Sequence, residues 1–324
     1  MTSPVIDSKL IADAGLADYR AEDFSARDVT LRDGRAAVVW VHGPSGHGIL
    51  DPRFWESAQF YEQAYRQEFS AVLGKEVHPS EHLEINQSLN QRQFNTFVNL
   101  LDKESRFLEI GCSFGGLLDL VNRFGVREIS AVEPNRRDAE FCRQRYPQNR
   151  IENVSFAEAE LPENHYDVIV SLEVLEHVIS PFDFLRKCAR LLKQGGHLQL
   201  EVPNHRDVLL SVYQDSGYQK FYYHKAHIHY FTAESLRDIA RTAGFRGEVS
   251  SFLMYPFFNH VWWTQNHGPQ PSGREALATP APAMGQDAPA QAVNEFYAKV
   301  ERAYEQLINR HMLGDCLIYQ GQRD

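Results

Sequence analysis

FLEIGCSFGGLL, residues 107–118, is the stretch whose reading decides the fold. Arg106–Ile110 is a short apolar run with strand character, closed by Gly111. Leu117, Leu120, Val121 and Phe124 then recur at i, i+3, i+4 and i+7, which lays one apolar face along a helix. Gly111 and Gly115 permit backbone conformations and close approaches that a β-carbon would block. The N–H groups exposed where that helix begins can receive a carboxylate or a phosphate. Several nucleotide-binding folds share such a strand, turn and helix, so the neighbouring segments must narrow the reading.

Working outward, short apolar runs alternate with helical patterns over residues 106–202, the mark of βαβ units and a parallel sheet. Glu128–Val132 is a second strand, Arg136–Arg145 a charged helix, and Ile151–Phe156 a third strand. Tyr166–Ser171 is apolar enough for a strand buried on both faces. Ser180-Pro181 begins a helix that Gly195-Gly196 ends, and His197–Val202 is a fifth strand. Thr232 caps a further helix, Phe245–Phe252 is a sixth strand, and Cys316–Gln320 a seventh. The expectation is an α/β fold with a seven-stranded, mostly parallel sheet, helices on both faces and an antiparallel last strand.

Ahead of this pattern lie a strand at Ala36–Val41 and helices near Phe54–Leu73 and Asn86–Leu101. Asn266 to Gln291, rich in Pro, Ala and Gly, reads as a mobile linker or long loop before an amphipathic helix over Val293–Ile308. The expected division is an N-terminal cap at 1–85, a core at 86–252, an aromatic segment with linker and helix at 253–312, and a last core strand at 313–324.

Composition narrows the class. With 43% apolar and 23% charged residues in 324, the chain is of the ordinary globular kind. A net charge of −10 argues against nonspecific binding to nucleic acid or anionic membrane. The cysteines Cys112, Cys142, Cys188 and Cys316 form neither a zinc pattern nor a disulfide framework. Without a legible signal peptide or membrane span, the expected location is cytoplasmic.

Three carboxylates accompany the glycine turn. Glu133 ends the second strand about 20 residues past the loop, where an acid accepts from two ribose hydroxyls. Glu158, in AEAELP (157–162), is placed to accept from an adenine amino group. Glu109, two residues before Gly111, suits a positively charged amino group, which a dinucleotide lacks there.

With LEIGCSFGG, AVEP (131–134), AEAELP, YDVIVSLEVLEHV (166–178), LLKQGGHLQLEVPN (191–204) and HIHYFTAESLRDIARTAGF (227–245), the chain resembles the class I S-adenosylmethionine-dependent methyltransferases, most of all their bacterial small-molecule branch. The resemblance spans roughly 106–245 and implies a Rossmann-like core with S-adenosyl-L-methionine as cofactor. It implies that Glu109 and the turn of Gly111, Cys112, Ser113 and Gly115 hold the methionine moiety. Glu133 with Pro134 would hold the ribose, Glu158 with Ala159 the adenine, and Leu172 with Glu173 would line the mouth of the fourth strand. Ser113 departs from the pattern, since a third glycine is commoner there.

Other readings stand beside it. GCSFG fits the nucleophile turn of α/β-hydrolases with Ser113 as nucleophile, but that fold needs several strands ahead of the turn. An NAD-dependent oxidoreductase suits Glu133, yet G-x-S-x-G fits G-x-G-x-x-G poorly. A non-catalytic binding protein of the same fold would be expected to lose the acidic positions, and all three stand.

The acceptor is expected to be a small molecule: a sugar, nucleotide sugar or secondary metabolite, by resemblance. An oxygen or carbon acceptor needs a base. YYHKAHIHYF, residues 222–231, offers His229 as the first choice and His227 as the second, with His177 of EVLEHV a third. H-x-x-H-x-H supplies three imidazoles, but with no helical i, i+4 pair and no carboxylate partner legible, no metal is expected. The aromatic block MYPFFNHVWW (254–263) suits a pocket wall or a homodimer contact.

Overall fold

The computed structural model describes residues 6–16, 18–57, 60, 78–279 and 281–324. The helix expected near Phe54–Leu73 lies mostly outside the described residues.

The strands fall into two sheets. In the smaller, β1 (Phe24–Thr30), β2 (Ala36–His42) and β3 (Gly48–Leu50) are successive antiparallel neighbours. The larger holds β4 (Arg106–Ile110), β5 (Glu128–Val132), β6 (Arg150–Glu152), β7 (Tyr166–Leu172) and β8 (Leu192–Pro203). β9 (His229–Tyr230) returns to the small sheet and pairs antiparallel with β3. β10 (Phe245–Phe252) and β11 (Cys316–Arg323) then complete the large sheet, in the order β10-β11-β8-β7-β4-β5-β6. Only β11 breaks the parallel run, lying antiparallel to β8 and β10. The seven-stranded sheet is as expected.

Alternation across the strands sends side chains to two cores. Leu108, Ile110, Ile169, Leu198 and Leu200 face a cluster with Phe184, Leu185, Leu236 and Ile239 from the helices Pro181–Leu191 and Ala233–Thr242. Phe107, Ile129, Val168 and Val170 face the other side, toward Phe94, Phe97, Leu117 and Val121. Ile6, Ile11 and Leu16 join the first cluster, so packing runs across the expected boundary at residue 85.

The N-terminal sheet packs its own apolar face, Val39 and Leu50 meeting Tyr222, Tyr223, Tyr230 and Trp263. His229 and Tyr230 thus belong to the small sheet although they lie within the core segment of the sequence. The expected third strand ends early, at Glu152, and Phe156 lies in the turn beyond it. The helix expected near 86–101 is Gln87–Phe97 followed by a 3-10 turn at Val98–Leu100, and a further helix, Pro79–Ile85, lies ahead of it.

Within the expected linker, Gly273–Leu277 is helical, and Arg274 pairs with Glu84 at 3.1 Å. The aromatic block forms most of the helix Phe257–Asn266 and packs within the chain. Phe258 stacks on Tyr297 and Phe257 tilts on Tyr304, both from the long helix Ala288–Arg310. Among the described residues, no helix is long and apolar enough to cross a membrane.

Candidate functional site

The C-terminal ends of parallel strands are where an open α/β sheet leaves a crevice. Here that crevice is a cavity of about 630 Å³. Gly111 and Ser113 line it from the turn after β4, and Glu133, Pro134 and Asn135 from the end of β5. Ser155, Phe156 and Ala157 line it from the turn after β6, and Glu173, Val174 and His177 from the end of β7.

The turn after β4 explains its glycines. Gly111 has φ +83°, and a β-carbon there would stand 2.5 Å from Val174 Cγ2. Gly115, the N-cap of the helix Gly116–Phe124, has φ +77° and lies against Tyr146, away from the cavity lining. Ser113 and Glu173 also hold positive φ, 49° and 55°, without being glycine. Two left-handed non-glycine residues on one cavity mark local strain held in place by its surroundings.

Glu133 is buried, and its two oxygens accept from the N–H groups of Ser113 (2.8 Å) and Asn135 (2.9 Å). Each oxygen of a carboxylate has room for a second donor. Glu109 is 5% exposed, and its Oε2 has no hydrogen-bond partner among the described residues. Burial, with a smaller push from the charge of Glu133, raises its carboxyl to about 8. Cys112 is buried beneath the turn and does not reach the cavity, while Leu172 packs against the second core.

The segment after β6 differs from expectation. Glu158 is exposed and accepts the Ser155 hydroxyl at 2.6 Å, and Ala159 is buried in the core. Neither lines the cavity; Ser155, Phe156 and Ala157 do. Lys187, from the helix Pro181–Leu191, fixes this turn by donating to the carbonyls of Phe156 (2.6 Å), Ala157 (3.1 Å) and Ala159 (2.7 Å). Burial lowers its ammonium from the ordinary lysine value. No signal in the sequence distinguishes Lys187 from a solvated helix lysine.

The histidines also separate. His229, the first-choice base, is 2% exposed, and its nitrogens face His47 Nε2 and the Ile179 carbonyl, each at 3.4 Å. It is absent from the cavity lining because its two-residue strand turns it into the packing under the small sheet. The expected place of His229 at the cavity is thus corrected: of the three histidines named as candidate bases, His177 lines the cavity and His227 and His229 do not. His177 Nδ1 donates to the Ala226 carbonyl at 2.7 Å, and burial lowers the ring to about 4. Its Nε2 lies 3.6 Å from Glu176 Oε1, and His227 Nε2 lies 3.8 Å from the same oxygen. Glu176 went unremarked as a site residue; it is 1% exposed, and burial raises its carboxyl.

The nucleophile reading of Ser113 does not fit this topology. Among the described residues β4 is the first strand of the large sheet in chain order, so it alone of that sheet precedes the turn.

A family model described as a methyltransferase domain matches residues 82–248. A probable S-adenosylmethionine-dependent methyltransferase of Mycobacterium tuberculosis is 31% identical over 138 residues, which is 43% of this chain and 47% of that protein. A ubiquinone biosynthesis O-methyltransferase of Proteus mirabilis is 33% identical over 102 residues, 29% of this chain and 40% of that one. The match thus spans about half the length of these curated relatives, or less. Among solved structures, phosphoethanolamine N-methyltransferase 2 of Haemonchus contortus, in complex with S-adenosyl-L-methionine, superposes with a TM-score of 0.49 at 16% identity. That match covers 80% of this chain and 60% of the other. With more than half of its residues matched by the family model, the chain belongs to the methyltransferase-domain family.

Proposed function

We propose that this protein transfers a methyl group from S-adenosyl-L-methionine to a small-molecule acceptor held in the same cavity. The observation that carries this reading is Glu109, a buried carboxylate with one unpartnered oxygen beside the glycine turn. Leaving such an atom unpaired is costly, and the α-ammonium of the cofactor's methionine moiety is the group that would relieve it. Gly111 and Ser113 would hold the rest of that moiety, Glu133 the ribose hydroxyls, and Ser155, Phe156 and Ala157 the adenine. Bound there, the cofactor supplies an electrophilic methyl on its sulfonium. The chain's part is to align the acceptor in line with that methyl and to exclude water.

The acceptor would sit beside His177, against Val174, Ile179 and Ile228. This apolar wall favours a molecule with an apolar face, a secondary metabolite before a sugar or nucleotide sugar. The name of the Proteus mirabilis relative supports oxygen as the methylated atom. Calorimetry with S-adenosylmethionine, S-adenosylhomocysteine and NAD tests the cofactor. The first two should bind at a single site and NAD should not. Binding of NAD alone would overturn the reading in favour of an oxidoreductase.

A further inference from the structure

Beside the cavity, three potential ligand atoms converge, one each from Glu176, His177 and His227. Glu176 is 1% exposed, and neither of its oxygens has a hydrogen-bond partner among the described residues. Its neighbours are two imidazole Nε2 atoms, of His177 at 3.6 Å and His227 at 3.8 Å. Both separations are too long for hydrogen bonds. They are close to the spacing of donors around one ion, since ligands ~2.0–2.2 Å from a tetrahedral centre stand ~3.3–3.6 Å apart. All three donor atoms lie within 4.8 Å of one another.

The surroundings suit ligation. Donation from His177 Nδ1 to the Ala226 carbonyl leaves Nε2 as the nitrogen with the lone pair, the outer-shell arrangement typical of ligating histidines. Glu176 is fixed on the 3-10 turn Leu175–His177, whose Glu176 carbonyl accepts the Ile228 N–H at 2.8 Å. That bond ties the turn carrying Glu176 and His177 to the strand entry carrying His227. Glu173 lines the cavity three residues earlier, and burial together with the nearby carboxyls of Glu176 and Glu201 drives its own carboxyl well above the ordinary value.

We infer that Glu176, His177 and His227 bind one first-row divalent cation, leaving a coordination position open toward the cavity for an oxygen of the methyl acceptor. Two imidazoles and one carboxylate suit Zn²⁺, Mn²⁺, Fe²⁺ or Co²⁺ better than Mg²⁺ or Ca²⁺, which prefer oxygen donors. The acceptor role rests on the methyl-transfer reading; the cation site does not. An acceptor hydroxyl bound at the open position loses its proton to water. Its oxygen then takes the sulfonium methyl, the new C–O bond forming as the C–S bond breaks, with the electron pair left on sulfur in S-adenosylhomocysteine. The cluster would then work as a Lewis-acid site rather than as a general base.

Full-length protein stripped with a chelator and titrated with Co²⁺ tests this by ligand-field absorption. One equivalent should bind and be displaced by Zn²⁺. Glu176→Gln and His227→Ala should each weaken cobalt binding at least about 10-fold, the smallest loss seen even for outer-shell changes. Both should still bind S-adenosylhomocysteine as the wild type does, which certifies the fold. Added azide should shift the cobalt spectrum, and an unshifted spectrum would remove the open position and with it the acceptor role. Absence of stoichiometric cobalt binding to the wild type, or unchanged binding in both variants, would overturn the site. Should Glu176→Gln fail to fold, His227→Ala decides. Cobalt bound in a protein that takes no S-adenosylhomocysteine would instead sink the methyl-transfer reading and leave the site standing.

Discussion

Glu109 and Glu133 stand on neighbouring strand ends, yet the chain treats them differently. Glu133 is satisfied by two backbone N–H groups, whereas Glu109 is buried with an empty lone pair and a carboxyl raised to about 8. At pH 7 the free protein therefore holds Glu109 mostly protonated. A cofactor ammonium favours the carboxylate and pulls that pKa down, so binding releases a proton. The release should be largest below about pH 8 and fade above it. Calorimetry at pH 7 in buffers of different ionisation heat should detect it, and Glu109→Gln should abolish it. The same substitution should weaken binding about 10- to 100-fold, the worth of a charged hydrogen bond of about 1.5–3 kcal/mol. Equal heats in all buffers for the wild type would count against the ammonium contact. Gly111, Ser113 and Glu133 line the cavity where the sequence put them, because each sits at a fixed offset from one strand end, whereas Glu109 lies buried outside that lining. Lys187 and Ser155 were not, since their roles come from a helix folding back over a turn some 30 residues earlier in the chain.

At the scale of elements, the strand-to-helix turn and the clamp on the turn after β6 should behave as separate mechanical parts. Gly111→Ala meets Val174 Cγ2 at 2.5 Å and must also hold φ near +83°. The two penalties together should cost about 1–3 kcal/mol in urea unfolding and sharply reduce S-adenosylhomocysteine affinity. Adding Val174→Ala relieves the contact but not the backbone strain, so recovery should be partial. Full recovery would show that φ does not matter there. Lys187→Met removes three donations to the carbonyls that shape the turn of Phe156 and Ala157. Cofactor affinity should fall about 10-fold while overall stability changes less, because the helix Pro181–Leu191 keeps its buried face. The large sheet was readable because most of its strands are at least five residues long and carry short apolar runs or a clear alternation between helical patterns. β3 and β9 are three and two residues long, too short for any periodicity to register, and β1 presents a mostly polar face. The misplacement of His229 follows from that: its neighbours in sequence suggest a loop, while its partner Ile49 lies 180 residues away.

For the whole molecule, the small sheet is joined to the large one through side chains that must stay neutral. His205, just beyond β8, donates from Nδ1 to the Gly46 carbonyl at 2.8 Å and accepts the Tyr223 hydroxyl at Nε2, 2.9 Å away. Burial, aided by the nearby charges of Arg27 and Arg206, lowers its ring to about 4 despite the opposing bond to Gly46. His47, on the turn into β3, is fully buried against Ser235 and is likewise driven well below the ordinary histidine value by burial. A base with a depressed folded pKa stabilises the fold fully above its unfolded value of 6.5, and that stability drains away as pH falls toward the folded value. For His205 the drop from 6.5 to about 4 corresponds to roughly 3 kcal/mol in all, at about 1.4 kcal/mol per pH unit. Urea unfolding between pH 7 and pH 4.5 should therefore show stability falling with acid. In His205→Gln, which keeps a donor and an acceptor but cannot protonate, the slope should be shallower by about one proton's worth. The amide of Leu50, bonded to the Ile228 carbonyl where the small sheet meets the core, should lose hydrogen-exchange protection in step with that fall. A wild-type slope no steeper than that of the variant would mean that His205 carries its charge in the folded state.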